Sequence, residues 1–267
     1  MSQPDMKNIK ALFLDMDGVL WSDKTEIGCL KQIFADIEKA GLKVCFGTNN
    51  ATKTPEEYCA KLAGFGVHAE PGQFFSSAIA TIDALHKAYP QGASIYVVGT
   101  DSLKRMLSDA GFDIRDEEAE KTDVVVAGAD WNVTYQKIAA AMRLILGGAV
   151  FYATNGDLTF PTPNGWRPGA GMIVTAISCC SGAEPIMIGK PNPKMLYMAC
   201  EATGLKPEEF LAVGDRHETD ILSGANAGAH TALVLTGYET EETLPKLDPQ
   251  PEIVCKDLTE LIGLFNK

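Results

Sequence analysis

The chain has 267 residues, more than one small hydrophobic core usually holds, so we expect one large domain or a domain that carries an insert. Hydrophobic residues make up 46% of the sequence, and the net charge of −12 argues against a protein that binds along the phosphate backbone of DNA or RNA. Residues 1–10 show no secretory signal, and no apolar run is long enough to span a membrane. We therefore expect a cytoplasmic protein with no nucleic-acid partner and no membrane partner.

The seven cysteines form no C-x-x-C pair and show no zinc-ligand spacing. Their odd number and their positions within apolar stretches predict reduced, mostly buried thiols, as in a cytosolic protein.

Short apolar runs alternate with amphipathic stretches along the chain, which is the pattern of β-α units around a parallel sheet. Residues 9–14 are predicted to form the first strand, and the apolar spacing from Leu30 to Ile37 predicts a helix that ends near Gly41. A second strand is predicted at residues 43–46, and the next helix should begin at Thr54 and Pro55. Further strands are predicted at 94–98, 123–127, 150–153, 185–188, 210–213 and 231–235, and a further helix at 135–146.

The middle of the chain forms a second α/β block, which ends in a turn-rich run at residues 155–171. One α/β block nested in another accounts for the length of the chain. We therefore predict an α/β fold in which residues 1–83 and 180–267 form a Rossmann-like parallel-sheet core with helices on both faces. Residues 84–179 are predicted to form the insert.

A pair of carboxylates, Asp15 and Asp17, directly follows the first predicted strand. Ligands of open α/β sheets bind at the carboxyl ends of the strands, so this is a candidate catalytic position. One carboxylate could attack phosphorus while the other transfers the proton. The glycine spacing does not fit an EF-hand calcium loop, but a solvated turn remains an alternative when the motif is considered alone.

Two further polar clusters follow predicted strands. Thr48, Asn49 and Asn50 could surround phosphate oxygens, although the same residues also suit an ordinary β-α turn. Lys190 lies between a glycine and a proline, where it could pair with Asp15, although most lysines are solvated.

A last cluster, residues 214–220, contains two carboxylates that could serve a magnesium ion. Asp215 is the expected direct ligand, and Asp220 is expected to orient Asp215 or Lys190. His217 could be a proton shuttle or an exposed loop residue. The four clusters together supply the nucleophile, the acid/base, the phosphate contacts, the counter-charge and the metal ligands that phosphoryl transfer needs.

The runs D-M-D-G-V-L, T-N-N, G-K-P and G-D-x-x-x-T-D resemble the four motifs of the haloacid-dehalogenase-like (HAD) phosphohydrolases, and the likeness spans the whole chain. T-N-N and the large insert are similar to the p-nitrophenyl-phosphatase-like or NagD-type branch, which has a large C2-type cap. The stretches A-T-N-G-D-L-T-F-P and P-G-A-G are also typical of that branch.

The resemblance implies a phosphatase that forms an aspartyl-phosphate on Asp15 and uses Asp17 as the general acid/base. It implies Mg²⁺ held by Asp15, Asp215 and the backbone carbonyl of Asp17. Thr48 and Lys190 would hold the phosphoryl group together with Asn49. Glu218 departs from the aspartate common at its position, which lies outside the matched metal ligands.

By the same resemblance the insert is a cap over the site, the substrate is a small-molecule phosphate ester, and a homodimer formed through the cap is expected. A histidine expected near Phe160 in relatives that favour pyridoxal phosphate is absent, which argues against that substrate. A simple turn is the alternative for the run that supplies the candidate specificity residues. These are Asn155, Asp157, Phe160, Asn164 and Trp166.

Other functions remain open on the sequence. A phosphotransferase or phosphomutase would need the same residues, and a weakly catalytic regulatory protein that binds a phosphate ligand could retain them. A dehalogenase would not need Asp17, a P-type ATPase would need membrane spans, and no G-x-G-x-x-G dinucleotide motif follows the first strand.

Overall fold

The computed structural model of the protein describes residues 4–162 and 165–266. In this part of the chain the strands are β1 (Ala11–Leu14), β2 (Trp21–Ser22), β3 (Thr25–Glu26), β4 (Lys43–Thr48), β5 (Phe74–Ser76), β6 (Ser94–Val98), β7 (Asp113–Arg115), β8 (Val124–Ala127), β9 (Val150–Ala153), β10 (Thr159–Thr162), β11 (Gly165–Pro168), β12 (Ile186–Met187), β13 (Phe210–Gly214), β14 (His230–Val234) and β15 (Ile253–Cys255). The α-helices are α1 (Leu30–Lys39), α2 (Pro55–Gly64), α3 (Ser77–Ala88), α4 (Asp101–Asp109), α5 (Tyr135–Leu146), α6 (Ala170–Ser181), α7 (Lys194–Thr203), α8 (Leu222–Ala227) and α9 (Leu258–Gly263).

Contacts within the chain divide it into two compact units. The first unit comprises residues 1–48, 55–75 and 190–267, and the second comprises residues 49–54 and 76–189. The limits predicted for the insert, residues 84 and 180, fall inside α3 and α6. The hydroxyl of Ser76 accepts a hydrogen bond from the amide of Ile79 at 3.3 Å, so α3 begins directly after β5.

The first unit contains a six-stranded sheet with the order β15-β14-β13-β1-β4-β5. The pairs from β15 to β4 are parallel, and Leu14 at the end of β1 lies opposite Val213 and Phe46. Because the strands run in the same direction, the residues that follow β1, β4 and β13 meet at one edge of the sheet. These residues include Asp15 and Asp215 of the predicted site, whereas Lys190 follows β12 of the other sheet.

Helices cover both faces of this sheet. The side chains of Leu12 and Leu14 pack in a core cluster with apolar residues of α1, α2 and α9. Ala212 faces the other side, where α8 approaches so closely that a Cβ at Gly224 would lie 2.6 Å from the Cβ of Ala212. The predicted α/β class with a helix-covered parallel sheet is confirmed.

The second unit contains a five-stranded parallel sheet with the order β12-β9-β8-β6-β7. One face buries Val98, Val125 and Phe151 against the apolar residues of α5 and α6. The sequence predicted α5 and β9 with the bounds that the structure has, because each is an uninterrupted apolar or amphipathic run between turn residues.

The run at residues 155–171 contains more regular structure than predicted. β10 and β11 form an antiparallel pair in which Phe160 lies opposite Arg167. The prolines and glycines of this run hid the alternating pattern that indicates a hairpin. Residue 164 lies outside the described part of the chain, so the prediction for Asn164 has no structural outcome.

The thiols are less buried than the sequence predicted. Cys45 and Cys255 are buried and Cys59 and Cys200 are half-buried, whereas the other three are exposed. The exposed thiols are those of Cys29, Cys179 and Cys180. The prediction of mostly buried thiols was wrong because apolar neighbours in sequence do not determine which face of a helix a cysteine occupies.

None of the helices in the described residues combines the length and the hydropathy that a membrane crossing would demand.

Candidate active site

Lys190 lies at the centre of a buried ionic cluster in the first unit. Its Nζ donates hydrogen bonds of 2.7 Å to Asp15 Oδ1, to Asp220 Oδ1 and to the carbonyl oxygen of Gly47. The lysine side chain is 3% exposed and that of Asp15 is 12% exposed. An ammonium group has three donors, and these three acceptors hold it in one orientation.

The sheet positions this cluster through its backbone. The amide of Asp15 donates to the carbonyl oxygen of Val213 at 2.8 Å, so the pairing of β1 with β13 continues for one residue beyond β1. Asp215 directly follows β13, and Gly47 is part of β4. The three neighbouring strands therefore deliver the two carboxylates and the carbonyl to the same place.

Burial and charge change the acidity of these groups. Burial raises the pKa of Asp15 well above its usual value, and the nearby Asp220 and Asp215 add to the rise while Lys190 opposes it. Burial likewise raises the pKa of Asp215 to about 7, with a further contribution from Asp220. Burial alone would lower the pKa of Lys190, but the Asp15 and Asp220 carboxylates outweigh it and raise that pKa.

Three carboxylates converge on a possible cation position. One oxygen each of Asp15, Asp215 and Asp220 lie within 4.8 Å of one another. When all three carboxylates are ionised, they and the single ammonium of Lys190 carry two net negative charges, which a divalent cation would balance. Carboxylate oxygens are the donors that Mg²⁺ prefers, so the charge and the donor chemistry both fit this ion.

Two glycines make room for the Asp215 carboxylate. A Cβ at Gly18 or at Gly237 would overlap with the carboxylate, and Gly18 also has a φ of +89° that disfavours other residues. The amide of Tyr238 donates to Asp215 Oδ2 at 2.7 Å, and the hydroxyl of Thr236 donates to the carbonyl oxygen of Gly18 at 2.5 Å. The loops after β1 and β14 therefore hold Asp215 between them.

Asp17 stands apart from the carboxylate cluster. Its side chain is exposed, and its Oδ1 accepts a hydrogen bond of 2.8 Å from the indole nitrogen of Trp21. Asp15 and Asp17 therefore have different surroundings: Asp15 is largely buried beside the Lys190 ammonium, whereas Asp17 is open to solvent.

The predicted phosphate-binding residues are divided between the two units. Thr48 ends β4 in the first unit and is buried, whereas Asn49 and Asn50 group with the second unit. The amide nitrogen of Asn49 donates to both carboxylate oxygens of Asp157 at 3.1 and 3.3 Å. Asn50 Oδ1 accepts from the amide and the hydroxyl of Thr52 at 2.9 and 2.7 Å, as in an Asx turn.

The other predicted specificity residues lie in different surroundings within the second unit. Asn155 is buried and its amide nitrogen donates to the carbonyl oxygen of Asn49 at 2.8 Å. The ring of Phe160 lies 5.5 Å from that of Trp131, and Trp166 is exposed. The structure thus brings Asn155 and Asp157 together around Asn49, while Phe160 and Trp166 lie on the hairpin of β10 and β11.

Residues 217–220 lie in a π-helical turn, His217–Ile221, which Arg216 precedes. His217 is buried, and its Nε2 donates to the carbonyl oxygen of Pro249 at 2.9 Å, so the exposed-loop interpretation of this histidine was wrong. Glu218 is exposed and pairs with Arg216 at 3.1 Å. The departure at Glu218 therefore leaves the three clustered carboxylates unchanged.

Sequence reasoning missed several residues that shape the site. Trp21, Gly237 and Tyr238 contact the predicted carboxylates. Tyr58 lies near Asp17: burial raises the pKa of the Tyr58 hydroxyl, and the negative charge of Asp17 raises it further. Only Trp21 carried a signal, because a tryptophan four residues after an aspartate can reach it across a tight turn.

The chain is similar to known proteins along most of its length. A family model described as haloacid dehalogenase-like hydrolase matches residues 12–113, and a second, described as HAD-hydrolase-like, matches residues 187–261. An acid sugar phosphatase of Staphylococcus aureus (strain MRSA252) is 38% identical over 262 residues, which are 98% of this chain and 100% of that protein.

Two solved structures are also similar. A 4-nitrophenylphosphatase from Thermotoga maritima has a TM-score of 0.90 and 32% identity, with 97% of this chain and 98% of that chain covered. A p-nitrophenyl phosphatase from Archaeoglobus fulgidus has a TM-score of 0.88 and 29% identity, with 96% of this chain and 99% of that chain covered.

Proposed function

This chain belongs to the haloacid dehalogenase-like hydrolases, and from that premise we propose that it is a Mg²⁺-dependent phosphatase acting on a small-molecule phosphate monoester. The observation that carries the proposal is the hydrogen bond of 2.7 Å between Lys190 and Asp15 beside the carboxylates of Asp215 and Asp220. This arrangement offers a nucleophile, a fixed positive charge and a cation position in one buried cluster.

We propose that Asp15, Asp215 and the backbone carbonyl of Asp17 hold the ion. When bound, Mg²⁺ supplies a Lewis acid that draws charge from the phosphoryl oxygens. Asp220 acts indirectly, because its Oδ1 accepts from Lys190 and its Oδ2 accepts from the amide of Arg216 at 3.2 Å. It therefore fixes the orientation of the lysine.

The first step forms a bond between an Asp15 oxygen and phosphorus and breaks the bond from phosphorus to the leaving oxygen. Asp17 gives its proton to that oxygen, so the product leaves as a neutral alcohol. Lys190 stabilises the negative charge that gathers on the phosphoryl group. Thr48 and Asn49 are proposed to hold the same group in line.

The second step hydrolyses the aspartyl-phosphate and regenerates the free enzyme. Asp17, now a carboxylate, takes a proton from water as the water oxygen bonds to phosphorus and the bond to Asp15 breaks. Inorganic phosphate leaves, and both aspartates regain their starting states. The exposed position of Asp17 supports this role, because water can reach it.

Sugar phosphates and aryl phosphates are the first substrates to test, because the relatives are named acid sugar phosphatase and 4-nitrophenylphosphatase. We further propose that the second unit is the cap that selects among them, with Asn155, Asp157, Phe160 and Trp166 as specificity residues. The cytoplasmic location and the homodimer through the cap stay predictions.

The test is hydrolysis of a panel of phosphate esters with and without Mg²⁺, by the wild type and by Asp15→Asn. We expect Mg²⁺-dependent phosphate release that falls by at least about 10³-fold in the variant, since a missing nucleophile removes the covalent path. Asp113→Asn is the matched control, because Asp113 is an exposed carboxylate outside the cluster.

Near-normal turnover by Asp15→Asn would contradict the mechanism. An acceptor sugar added to the assay separates the alternatives: phosphate moved to the sugar instead of to water would indicate a phosphotransferase. Binding of an ester without any Mg²⁺-dependent turnover would indicate a regulatory protein.

A further inference from the structure

We propose that Trp21 is a positioning residue that fixes the Asp17 carboxylate for proton transfer, through a hydrogen bond from its indole nitrogen. This inference rests on the proposed function, in which Asp17 is the general acid and then the general base. Trp21 is fully buried in the core, and the inference gives it a second role, in the reaction, that core packing does not require.

The contact is specific to one carboxylate oxygen. The indole nitrogen donates to Asp17 Oδ1 at 2.8 Å. Among the residues that the structure describes, none donates a hydrogen bond to the other oxygen of Asp17. One oxygen is therefore held in place while the other can carry the proton to the leaving group.

The backbone brings the two side chains together. Leu20 and Trp21 donate their amides to the carbonyl oxygen of Met16 at 2.9 and 3.3 Å, and the amide of Gly18 donates to the carbonyl oxygen of Trp21 at 2.8 Å. The chain therefore turns back on itself within five residues. This turn places the indole beside the aspartate four positions earlier.

The indole ring cannot follow the aspartate if the aspartate moves. The ring is 0% exposed and stacks on Tyr58 and Phe65, at centroid distances of 6.5 and 6.2 Å. Lys61 Nζ lies 3.8 Å from the ring centroid and donates to the carbonyl oxygen of Asp23 at 2.8 Å. The donor is thus rigid, whereas an exposed aspartate would otherwise exchange rotamers freely.

Packing alone does not explain a tryptophan here. A buried indole N–H must find an acceptor, and a phenylalanine would fill an apolar core without that need. The acceptor that it finds is the carboxylate assigned to proton transfer. Holding a reactive group in the productive geometry raises rates because less motion has to be frozen as the reaction proceeds.

Protonation by Asp17 matters only for poor leaving groups. A comparison of leaving groups therefore distinguishes a Trp21 that positions Asp17 from a Trp21 that only packs in the core. The P–O bond to a poor leaving group breaks only if Asp17 protonates the oxygen, whereas p-nitrophenolate leaves without much help. Phenol, with a pKa of about 10 like the tyrosine side chain, needs the proton more. The value of kcat/KM reports the steps through release of the alcohol, so it measures the first proton transfer.

The experiment compares wild type with Trp21→Phe on p-nitrophenyl phosphate and phenyl phosphate at saturating Mg²⁺. We expect kcat/KM for phenyl phosphate to fall about 10-fold or more, within the range that general acid catalysis provides, and that for p-nitrophenyl phosphate to fall less. Phe65→Leu is the control, because it loosens the ring packing but keeps the N–H. It should preserve the wild-type ratio of the two substrates.

A double-mutant cycle completes the test. In an Asp17→Asn background, Trp21→Phe should leave kcat/KM within about 2-fold, since the group it positions is already lost. An unchanged substrate ratio in a folded Trp21→Phe protein would overturn the inference while leaving the phosphatase proposal intact. Absence of Mg²⁺-dependent turnover in the wild type would overturn the proposed function, and the inference with it.

A spectroscopic measurement covers the case in which Trp21→Phe does not fold. The chain has three tryptophans, and one indole N–H resonance should shift and exchange faster with solvent in Asp17→Ala, which lacks the acceptor. No change in any of the three resonances would show that the hydrogen bond is absent in solution and would overturn the inference.

Discussion

At the scale of single residues, the site depends on how closely the loop backbone approaches the Asp215 carboxylate as much as on charge. Asp215 lies between two loops, and its carboxylate occupies space that a side chain at Gly18 or Gly237 would fill. The amide of Tyr238 then fixes one of its oxygens. As a proposed metal ligand, Asp215 would need no reorganisation on meeting an ion, which would favour tight binding.

We therefore predict that Gly237→Ala weakens the proposed Mg²⁺ site. The added methyl group would displace the Asp215 carboxylate, and loss of such an orienting contact typically costs 10- to 100-fold in metal affinity, so the Mg²⁺ concentration for half-maximal activity should rise about 10-fold or more. Gly72→Ala is the matched control, because a Cβ at Gly72 would meet open space. An equal response of both variants would contradict this account of Asp215.

At the scale of elements, the loops that follow strands carry the polar groups and hold one another. Asn49, directly after β4, is bound by two residues that follow β9: its backbone carbonyl oxygen accepts from Asn155, and its side-chain amide nitrogen donates to Asp157. Asn155 Oδ1 also accepts from the amide of Asp157 at 3.1 Å, so the pair forms a small rigid turn. The orientation of Asn49 is thus determined by contacts within the second unit, to which it belongs.

We predict that Asp157→Ala weakens phosphate binding although Asp157 is not assigned to the reaction itself. A hydrogen bond to a charged group is worth about 1.5–3 kcal/mol, so KM and the inhibition constant of inorganic phosphate should rise about 10-fold or more. Asp157→Asn, which keeps one acceptor oxygen, should show a smaller effect, and the exposed Asp113→Ala should show none. Phosphate inhibition that is the same in Asp157→Ala and wild type would refute this role.

At the scale of the whole molecule, burial of the carboxylates destabilises the folded state, and binding of an ion can offset this. When all three carboxylates are ionised, they and Lys190 carry two net negative charges, and burial disfavours this state, as the raised pKa of Asp15 and of Asp215 shows. An ion that binds the folded chain and not the unfolded chain stabilises the folded state by mass action.

Mg²⁺ at about 100 times its dissociation constant should therefore raise the free energy of unfolding by about 2.7 kcal/mol, and a chelator should remove this gain. Urea denaturation with Mg²⁺ and with a chelator measures the difference. Asp215→Asn should shrink it, because the variant removes one proposed ligand. A gain that Asp215→Asn leaves intact would place the ion elsewhere in the protein.

The strands and the groups at their ends could be predicted from the sequence because both depend on local patterns. An apolar run followed by a polar cluster is visible without a structure, and the parallel pairing of β1 with β13 then brings Asp15 and Asp215 to one edge. Lys190 follows β12, which belongs to the other sheet, so strand pairing does not account for its position. The hairpin of β10 and β11 was missed, since its prolines and glycines obscure the strand pattern. The burial of His217 was missed because nothing near it in sequence indicates Pro249 as a partner.

The order of short strands and polar clusters was enough, by itself, to determine the fold class and to predict the residue types of the candidate site. The tertiary structure alone decided that Trp21 holds Asp17, that Gly237 makes room for Asp215, and that Asn49 is bound by a carboxylate 108 positions away. The reason is physical: periodicity records which face of an element is buried, whereas a contact between two loops depends on how separate elements pack. Such contacts leave no pattern along the chain, because any residue that folding brings within hydrogen-bond distance can serve.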